Sequence, residues 1–296
     1  MRWLPLIASL AVAALLAPAF LARLERAGIV RENYRGLVLP AAAGMLIVLA
    51  ALLALGPLAA LDELTDADTL APEAGEALVF VLGVAVLGLI DDLLGAGSLA
   101  PRGLRGHARA AVRGDLSTGV LKAAGTLGLA LFVLSGQGRS ASEYLVGVGV
   151  LVLATNLFNL LDLRPGRAGK VFVAFGVILT LGSLDTYALE ALGLFIGPAL
   201  VLLPYDLRER AMLGDTGSNV LGAVAGFWLI VALGPTGEAV ALGVLALLTL
   251  YGEFRSFSAL VDQNRFLRWL DSLGRPSETS RHHLSQPSEH VGSLRS

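Results

Sequence analysis

Three short polar segments interrupt an otherwise apolar sequence, and each carries residue types that handle phosphate groups and hard cations. The first, Gly88-Leu89-Ile90-Asp91-Asp92-Leu93-Leu94-Gly95, places two adjacent carboxylates at the end of an apolar run. Neighbouring helical side chains diverge by about 100°, so one aspartate can face a cleft while the other braces it. The second runs from Asn156 through Asn159 to Asp162 at intervals of three, along one helical face. It leads into a loop bearing Arg164, Arg167 and Lys170. The third, Met212-Leu213-Gly214-Asp215-Thr216-Gly217-Ser218-Asn219, reads as a glycine turn opening a helix. Its backbone N–H groups and the positive end of the dipole would face an anion, Thr216 or Ser218 could cap the helix, and Asp215 could hold a hard cation. Each segment also has a plainer reading: a membrane boundary, hydrogen bonding between helices, and capping alone. Together they form a set for phosphate chemistry. Magnesium takes one or two protein carboxylates, several waters and substrate phosphate oxygens, and charge neutralisation with positioning carries most of phosphoryl transfer. Neither a P-loop nor a G-x-G-x-x-G fingerprint occurs, so an ATP-driven or nicotinamide chemistry lacks support.

The elements that must position these groups are membrane helices. Of 296 residues, 55% are hydrophobic and 16% charged, and the mean hydropathy is +0.72. A soluble domain carries about 25% charged residues and could not hide so much apolar surface. Runs such as Ala77–Ile90 are apolar on every side, which suits a spanning helix and not the alternating strand of a membrane barrel. The fold class expected is therefore all-α and polytopic, with nine spans at about 3–22, 37–60, 77–94, 119–135, 144–161, 171–184, 187–204, 219–233 and 238–251. The first could pass for a signal peptide, but Arg23, Arg26, Arg31 and Arg35 follow it directly, as after a retained span. With the N-terminus outside, 20 of the 22 basic residues fall on or beside cytoplasmic segments, and the loop after the second span holds six acids and no base. That is the positive-inside pattern, and it brings all three polar segments to the cytoplasmic face. Residues 1–252 then make a transmembrane domain, 253–273 an amphipathic helix at the inner interface, and 274–296 a disordered polar tail. A net charge of −2 excludes a globally basic nucleic-acid binder. The lack of cysteine excludes disulfides, thiolate metal sites and cysteine nucleophiles.

In this order the motifs resemble those of the polyprenyl-phosphate N-acetylhexosamine-1-phosphate transferase superfamily, the MraY/WecA type. The resemblance rests on Asn33-Tyr34-Arg35-Gly36 with Pro40 in the first inner loop, Asp91-Asp92 in the second, Asn156 to Asp162 in the third and Gly214 to Ser218 in the fourth; it covers about residues 30–275. It implies a magnesium-dependent enzyme of the plasma membrane. Such an enzyme moves a phospho-N-acetylated sugar from a UDP-sugar, UDP-GlcNAc or UDP-MurNAc-pentapeptide, to undecaprenyl or another polyprenyl phosphate. UMP is released, in the synthesis of peptidoglycan or another surface polymer, and relatives suggest a homodimer. The resemblance implies Asp215 as the Mg2+ ligand and Asp91 and Asp92 as the pair that deprotonates or orients the lipid phosphate. It implies that Asp162 acts on metal, phosphate or nucleophile, and that Lys122 lies near the diphosphate. Arg35, Asn156, Asn159, Thr216 and Ser218 are the further substrate-binding candidates.

Two features depart from the family pattern. The third loop in relatives often reads Asp-Gly-Leu-Asp-Gly, whereas here it is Asp162-Leu163-Arg164-Pro165-Gly166. Pro165 thus replaces an aspartate that helps hold uracil. The family's histidine cluster has no match in place: His282-His283 sits in the polar tail, and His107 reads as a loop residue. These losses favour an alternative, a non-catalytic protein of the same fold that binds polyprenyl phosphate or a nucleotide. Retention of Asp91, Asp92, Asp162 and Asp215 opposes it. A transporter would gather its polar groups at the bilayer midplane, and these gather at one face.

Overall fold

The computed structural model describes residues 1–94 and 118–276. The chain enters through α1 (Leu4–Arg26), turns through an antiparallel hairpin of β1 (Val30–Glu32) and β2 (Val38–Pro40), and continues into α2 (Met45–Thr65) and α3 (Ala74–Leu94). After residue 117 come α4 (Thr118–Leu134), α5 (Ala141–Leu161), α6 (Arg167–Ser183), α7 (Tyr187–Ala191), α8 (Gly193–Leu207), α9 (Gly214–Ala232) and α10 (Pro235–Phe254), and two short helices close the series, α11 (Phe257–Gln263) and α12 (Arg265–Ser272). The protein is an all-α polytopic membrane protein. Helices α1, α2, α3, α5, α9 and α10 are long and apolar enough to span a bilayer, and α4 and α8 are shorter apolar helices. Helix α6, with 17 residues, begins at Arg167 and Lys170, so its apolar stretch starts a turn late.

The bundle is built around α9, buried along most of its length, with α5 and α3 as its main partners and α10 packed on the outer side of α5. Small residues let these helices meet closely, as is common where lipid offers no hydrophobic drive for association. Gly88 of α3 is one case: a Cβ there would stand 2.7 Å from the Asp215 carbonyl oxygen and from the Thr216 Cα. An aromatic chain ties three helices together, Phe158 of α5 edge-on to Phe172 of α6, and Phe172 and Phe175 edge-on to Trp228 of α9 at 6.1 and 6.3 Å. Such pairs add about 0.5–1.5 kcal/mol each beyond area burial. Helix α1 packs along α8, with Ala13 and Ala17 fully buried and the Ser9 hydroxyl donating to the Gly193 carbonyl at 3.1 Å. Leu15, Phe132, Ile178, Leu181 and Leu247 project outward as a lipid-facing surface.

The connections sort to two ends. One end holds the Arg2–Asp68 pair (3.2 Å), the Tyr187 hydroxyl donating to Glu73 (2.6 Å) and the Arg139–Glu238 pair (2.8 Å). The opposite end holds the hairpin, the C-termini of α3 and α5, the N-termini of α4 and α9, and the final helices.

Three details differ from expectation. The loop between α1 and α2 is a β-hairpin, because Asn33 turns its side-chain carbonyl back onto the N–H groups of Arg35 (2.8 Å) and Leu37 (3.0 Å). The span expected at 187–204 is divided into α7 and α8 at Leu192, where Gly193 comes against Leu6 of α1. The amphipathic stretch expected at 253–273 is two helices and not one. Asn264 has extended backbone and caps α12, accepting from the N–H groups of Phe266 (2.9 Å) and Leu267 (3.2 Å). The tail from 277 on and His107 lie outside the described residues.

Candidate functional site

Asp91 and Asp92 diverge, as adjacent helical residues must. Asp91 turns toward α4 and meets the Lys122 ammonium at 2.9 Å. Asp92 turns inward to the start of α9. Its carboxylate accepts from the Asp215 N–H (2.9 Å), the Thr216 N–H (2.9 Å) and the Thr216 hydroxyl (2.6 Å). Arg31 of the hairpin closes the other side, 3.8 Å from Asp92 Oδ1, and donates to the Asp92 carbonyl. Two of the four backbone N–H groups that a helix start leaves without partners are thereby taken by a residue from another helix. The turn ahead of them is held in place too. Gly214 adopts φ +71°, which an L side chain resists, and a Cβ there would stand 2.7 Å from Asp92 Oδ2. Met212 and Leu213 run beside the end of the hairpin: Met212 N–H donates to Pro40 (2.8 Å), and the Ala43 and Gly44 N–H groups donate to Met212 and Leu213 (3.0 Å each).

This changes the place of two expected site residues. Asp92 was expected beside Asp91 at a reacting group, and Thr216 on substrate. The Asp92 side chain is 2% exposed and Thr216 is 1% exposed, and they are spent on each other. They position α9 and leave Asp215 as the outward member of its motif.

Asp215 lies 3.3 Å from the same Lys122 ammonium that holds Asp91. One cation thus bridges a carboxylate from α3 and one from α9. Asn159, near the C-terminal end of α5, completes the group: its amide nitrogen donates to Asp215 Oδ1 and to Ser218 Oγ (3.2 Å), and its carbonyl accepts from Lys122 (3.2 Å). Ser218 is fully buried and acts through Asn159. Asn156, one turn deeper on the same helix, makes no side-chain hydrogen bond among the described residues.

Asp162 ends α5, partly buried beside these groups. Burial, reinforced by the carboxylates of Asp206, Asp215 and Asp92, pushes its carboxyl well above the usual carboxylate range, and Arg167 offsets only part of this. Asp206, near the end of α8, was not foreseen. It is buried and accepts from the Gly166 N–H at 2.8 Å, fixing the loop after Asp162. Its only signal in the sequence is a lone acid at the end of an apolar run. A cavity of about 50 Å³ lies here, lined by Asn33, Tyr34, Asp162, Arg164, Pro165 and Asp206 among others. Arg35 stands apart from the carboxylates: its Nε donates to the Tyr34 hydroxyl (2.6 Å), and its guanidinium lies 3.4 Å from Glu209.

The donor set suits a hard divalent cation. Asp91 and Asp215 are oxygen donors, 16% and 28% exposed, and an ammonium already stands between them where a cation would neutralise both. Among the described residues no three His, Cys, Asp or Glu side chains gather as a closed metal cage. Magnesium takes one or two protein carboxylates and fills its other positions with water and phosphate oxygens.

No family model matches the chain. Among curated proteins it is similar to a phospho-N-acetylmuramoyl-pentapeptide-transferase of Moorella thermoacetica, with 32% identity over 174 residues. The match takes in 52% of this chain and 51% of that protein, so the chain spans about half the length of the relative it matches.

Proposed function

We propose that this protein transfers a phospho-N-acetylated sugar from a UDP-sugar to a polyprenyl phosphate at the cytoplasmic face of the plasma membrane, for cell-wall or surface-polymer synthesis. The observation that carries the reading is the meeting of Asp91, Lys122, Asn159 and Asp215, from four helices, at one end of the bundle. The similarity to a transferase of this reaction class supports it. So does the charge pattern, which favours this end in the cytoplasm with the N-terminus outside.

In the proposed reaction an oxygen of the lipid phosphate attacks the sugar-bearing phosphorus of the donor. The bond from that phosphorus to the bridging oxygen breaks, UMP leaves with the electron pair, and a polyprenyl diphospho-sugar remains. Asp215 and Asp91 would hold Mg2+, which when bound neutralises the diphosphate and steadies charge in the transition state. Lys122 supplies a second positive charge at the same place. Asn159 fixes the Asp215 carboxylate and the Lys122 ammonium relative to each other. Asp162, its carboxyl biased toward the protonated form by burial and neighbouring carboxylates, can hold a proton beside these groups. Asp92 and Thr216 keep the start of α9 in register with α3.

The test is UMP release from UDP-GlcNAc or UDP-MurNAc-pentapeptide with undecaprenyl phosphate, titrated with Mg2+. Asp215→Asn keeps the size of the side chain and removes its charge. Loss of an ion that neutralises a diphosphate costs several kcal/mol of transition-state stabilisation, so turnover should fall on the order of a thousandfold. Magnesium-dependent turnover near the wild-type rate in this variant would remove Asp215 as the ligand. A wild type that binds undecaprenyl phosphate but turns over no nucleotide sugar would favour the non-catalytic alternative.

A further inference from the structure

The three cations that follow Asp162 in the sequence, Arg164, Arg167 and Lys170, are committed to the last two helices. Within α12 the one buried residue is a carboxylate, Asp271. Phe266, Trp269 and Leu270 of the same helix are exposed, so ion pairs and not apolar burial hold α12 to the bundle. Asp271 accepts from Arg167 at Nε (2.9 Å) and Nη2 (3.1 Å) and from Arg275 at Nη1 (2.9 Å) and Nη2 (3.0 Å). Those bonds use about the full capacity of two carboxylate oxygens. Burial alone would raise the Asp271 carboxyl, but the hydrogen bonds from Arg167 and Arg275 hold it at about 2. Arg167 is itself buried, and its Nη1 donates to Ser258 Oγ of α11 (3.0 Å). Lys170 donates to the carbonyls of Leu270 (3.1 Å), Asp271 and Leu273 (3.3 Å), a positive charge on the C-terminal end of α12.

These contacts converge on the short connection between Asp162, at the end of α5, and Arg167, at the start of α6. Arg164 makes a two-point pair with Asp262 of α11 (2.8 and 3.0 Å), and Arg275 Nε donates to the Pro165 carbonyl (2.8 Å). Gly166 gives its N–H to Asp206, and its φ of +71° sets it against Leu207. Asp162 makes no side-chain hydrogen bond or ion pair among the described residues, so its place is set by the backbone that follows it. Asp271 lines an open groove of about 680 Å³ together with Tyr34, Arg164 and Arg275. Tyr34 and Arg164 also line the small cavity that reaches Asp162.

We infer that Asp271 is a positioning residue for the transfer: by gripping Arg167 and Arg275 it fixes the 163–166 connection, and with it the place of Asp162 beside the carboxylate cluster. The inference rests on the transferase reading and gives the last helix a part in it. Asp271 also keeps the Arg167 charge occupied. The charged groups facing Asp162 are Asp92 of α3, Asp206 of α8, Asp215 of α9 and Arg167 of α6. Without Asp271 the Arg167 guanidinium loses its counter-charge, and its pull on Asp162 toward the ionised form grows.

The test joins amide hydrogen exchange, which needs no substrate, with UDP-sugar turnover across pH, on the full chain in nanodiscs. Asp271→Asn keeps the shape of the side chain and removes its charge. Exchange over residues 163–170 should rise about tenfold. The kcat should fall about tenfold or more, with the donor KM within about threefold of wild type. The limb of the pH–rate profile that Asp162→Asn removes should move to lower pH by about half a unit or more. That direction is the same whether Asp162 acts protonated or ionised. Asp271→Glu, which keeps the charge, should restore most of all three readouts, and Arg265→Ala, exposed on the same helix, should leave them unchanged. Wild-type exchange in Asp271→Asn, with the wild type active, would overturn the grip and leave the transferase reading standing. A fall in kcat with an unmoved limb, or equal effects from Arg265→Ala, would reduce Asp271 to a structural role and overturn the inference. Raised exchange in Asp271→Asn, with a wild type that turns over no nucleotide sugar, would keep the grip and defeat the transferase reading together with the role in transfer.

Discussion

The adjacent aspartates offer the sharpest perturbation, because they meet different partners, Asp92 the start of α9 and Asp91 the Lys122 ammonium. Asp92→Asn removes a buried charge that accepts three hydrogen bonds at the start of α9. Bonds to a charged acceptor contribute about 1.5–3 kcal/mol each, against about 0.5–1.5 for neutral ones. Asparagine keeps one acceptor oxygen, and its amide nitrogen would face N–H groups. The interaction of the charge with the helix start, about 0.3–1 kcal/mol or more, is lost as well. The sum is a destabilisation of roughly 2–4 kcal/mol, or a fall in Tm of roughly 5–10 °C. Asp91→Asn, by contrast, loses the charge of a single contact with Lys122, the two side chains 16% and 15% exposed, and asparagine keeps an oxygen that can still accept from the ammonium; it should leave Tm within about 2 °C while cutting turnover on the order of a hundredfold or more. Thermal unfolding in detergent with UMP release on the same samples reads both quantities. Thr216→Val should destabilise through the same contact, and its combination with Asp92→Asn should be less than additive. If Asp92→Asn kept the wild-type Tm and was as inactive as Asp91→Asn, the anchoring role would be refuted, and Asp92 would belong with the reacting groups.

Three further outcomes follow from the geometry. Gly88→Ala drives a methyl to 2.7 Å from the backbone of Asp215 and Thr216, so α3 and α9 must part. A loss of about 1–3 kcal/mol, with reduced activity, is expected by the same two measurements, and wild-type stability would refute the close approach. The Asp162 carboxyl is held above its unfolded value of about 3.9, so its contribution to stability is full below that pH and is lost as pH rises toward the folded value. Asp162→Asn should therefore flatten the decline of Tm with rising pH above about 4 while lowering turnover; an unchanged slope would count against the crowded carboxyls. Finally, cysteine introduced as Asp66→Cys should react with an impermeant maleimide in intact cells, and cysteine introduced as Ser272→Cys should not. The reverse would place the carboxylate cluster outside the cell.

Much of this was legible in residue order alone. Spanning helices follow from composition and run length, since a bilayer leaves the backbone little choice. The alternation of spans brings Asp91, Lys122, Asn159 and Asp215 to one end without any knowledge of packing. The types in the three polar segments already point to phosphate and a hard cation. Sequence could not say which of two neighbouring aspartates faces the cleft, because helical periodicity separates their directions without orienting the helix. That was settled by the approach of α3 to α9 at Gly88, which turns Asp92 into the start of α9 and frees Asp91 for Lys122. Nor could it join Tyr34, Arg164 and Arg275, whose positions are more than a hundred residues apart at the extremes. Their common groove exists only because the hairpin, the loop after α5 and the end of α12 fold onto the same end of the bundle. Local pattern reports the type and phase of a side chain, whereas its partner depends on contacts between distant segments, which are fixed by how closely whole helices can pack.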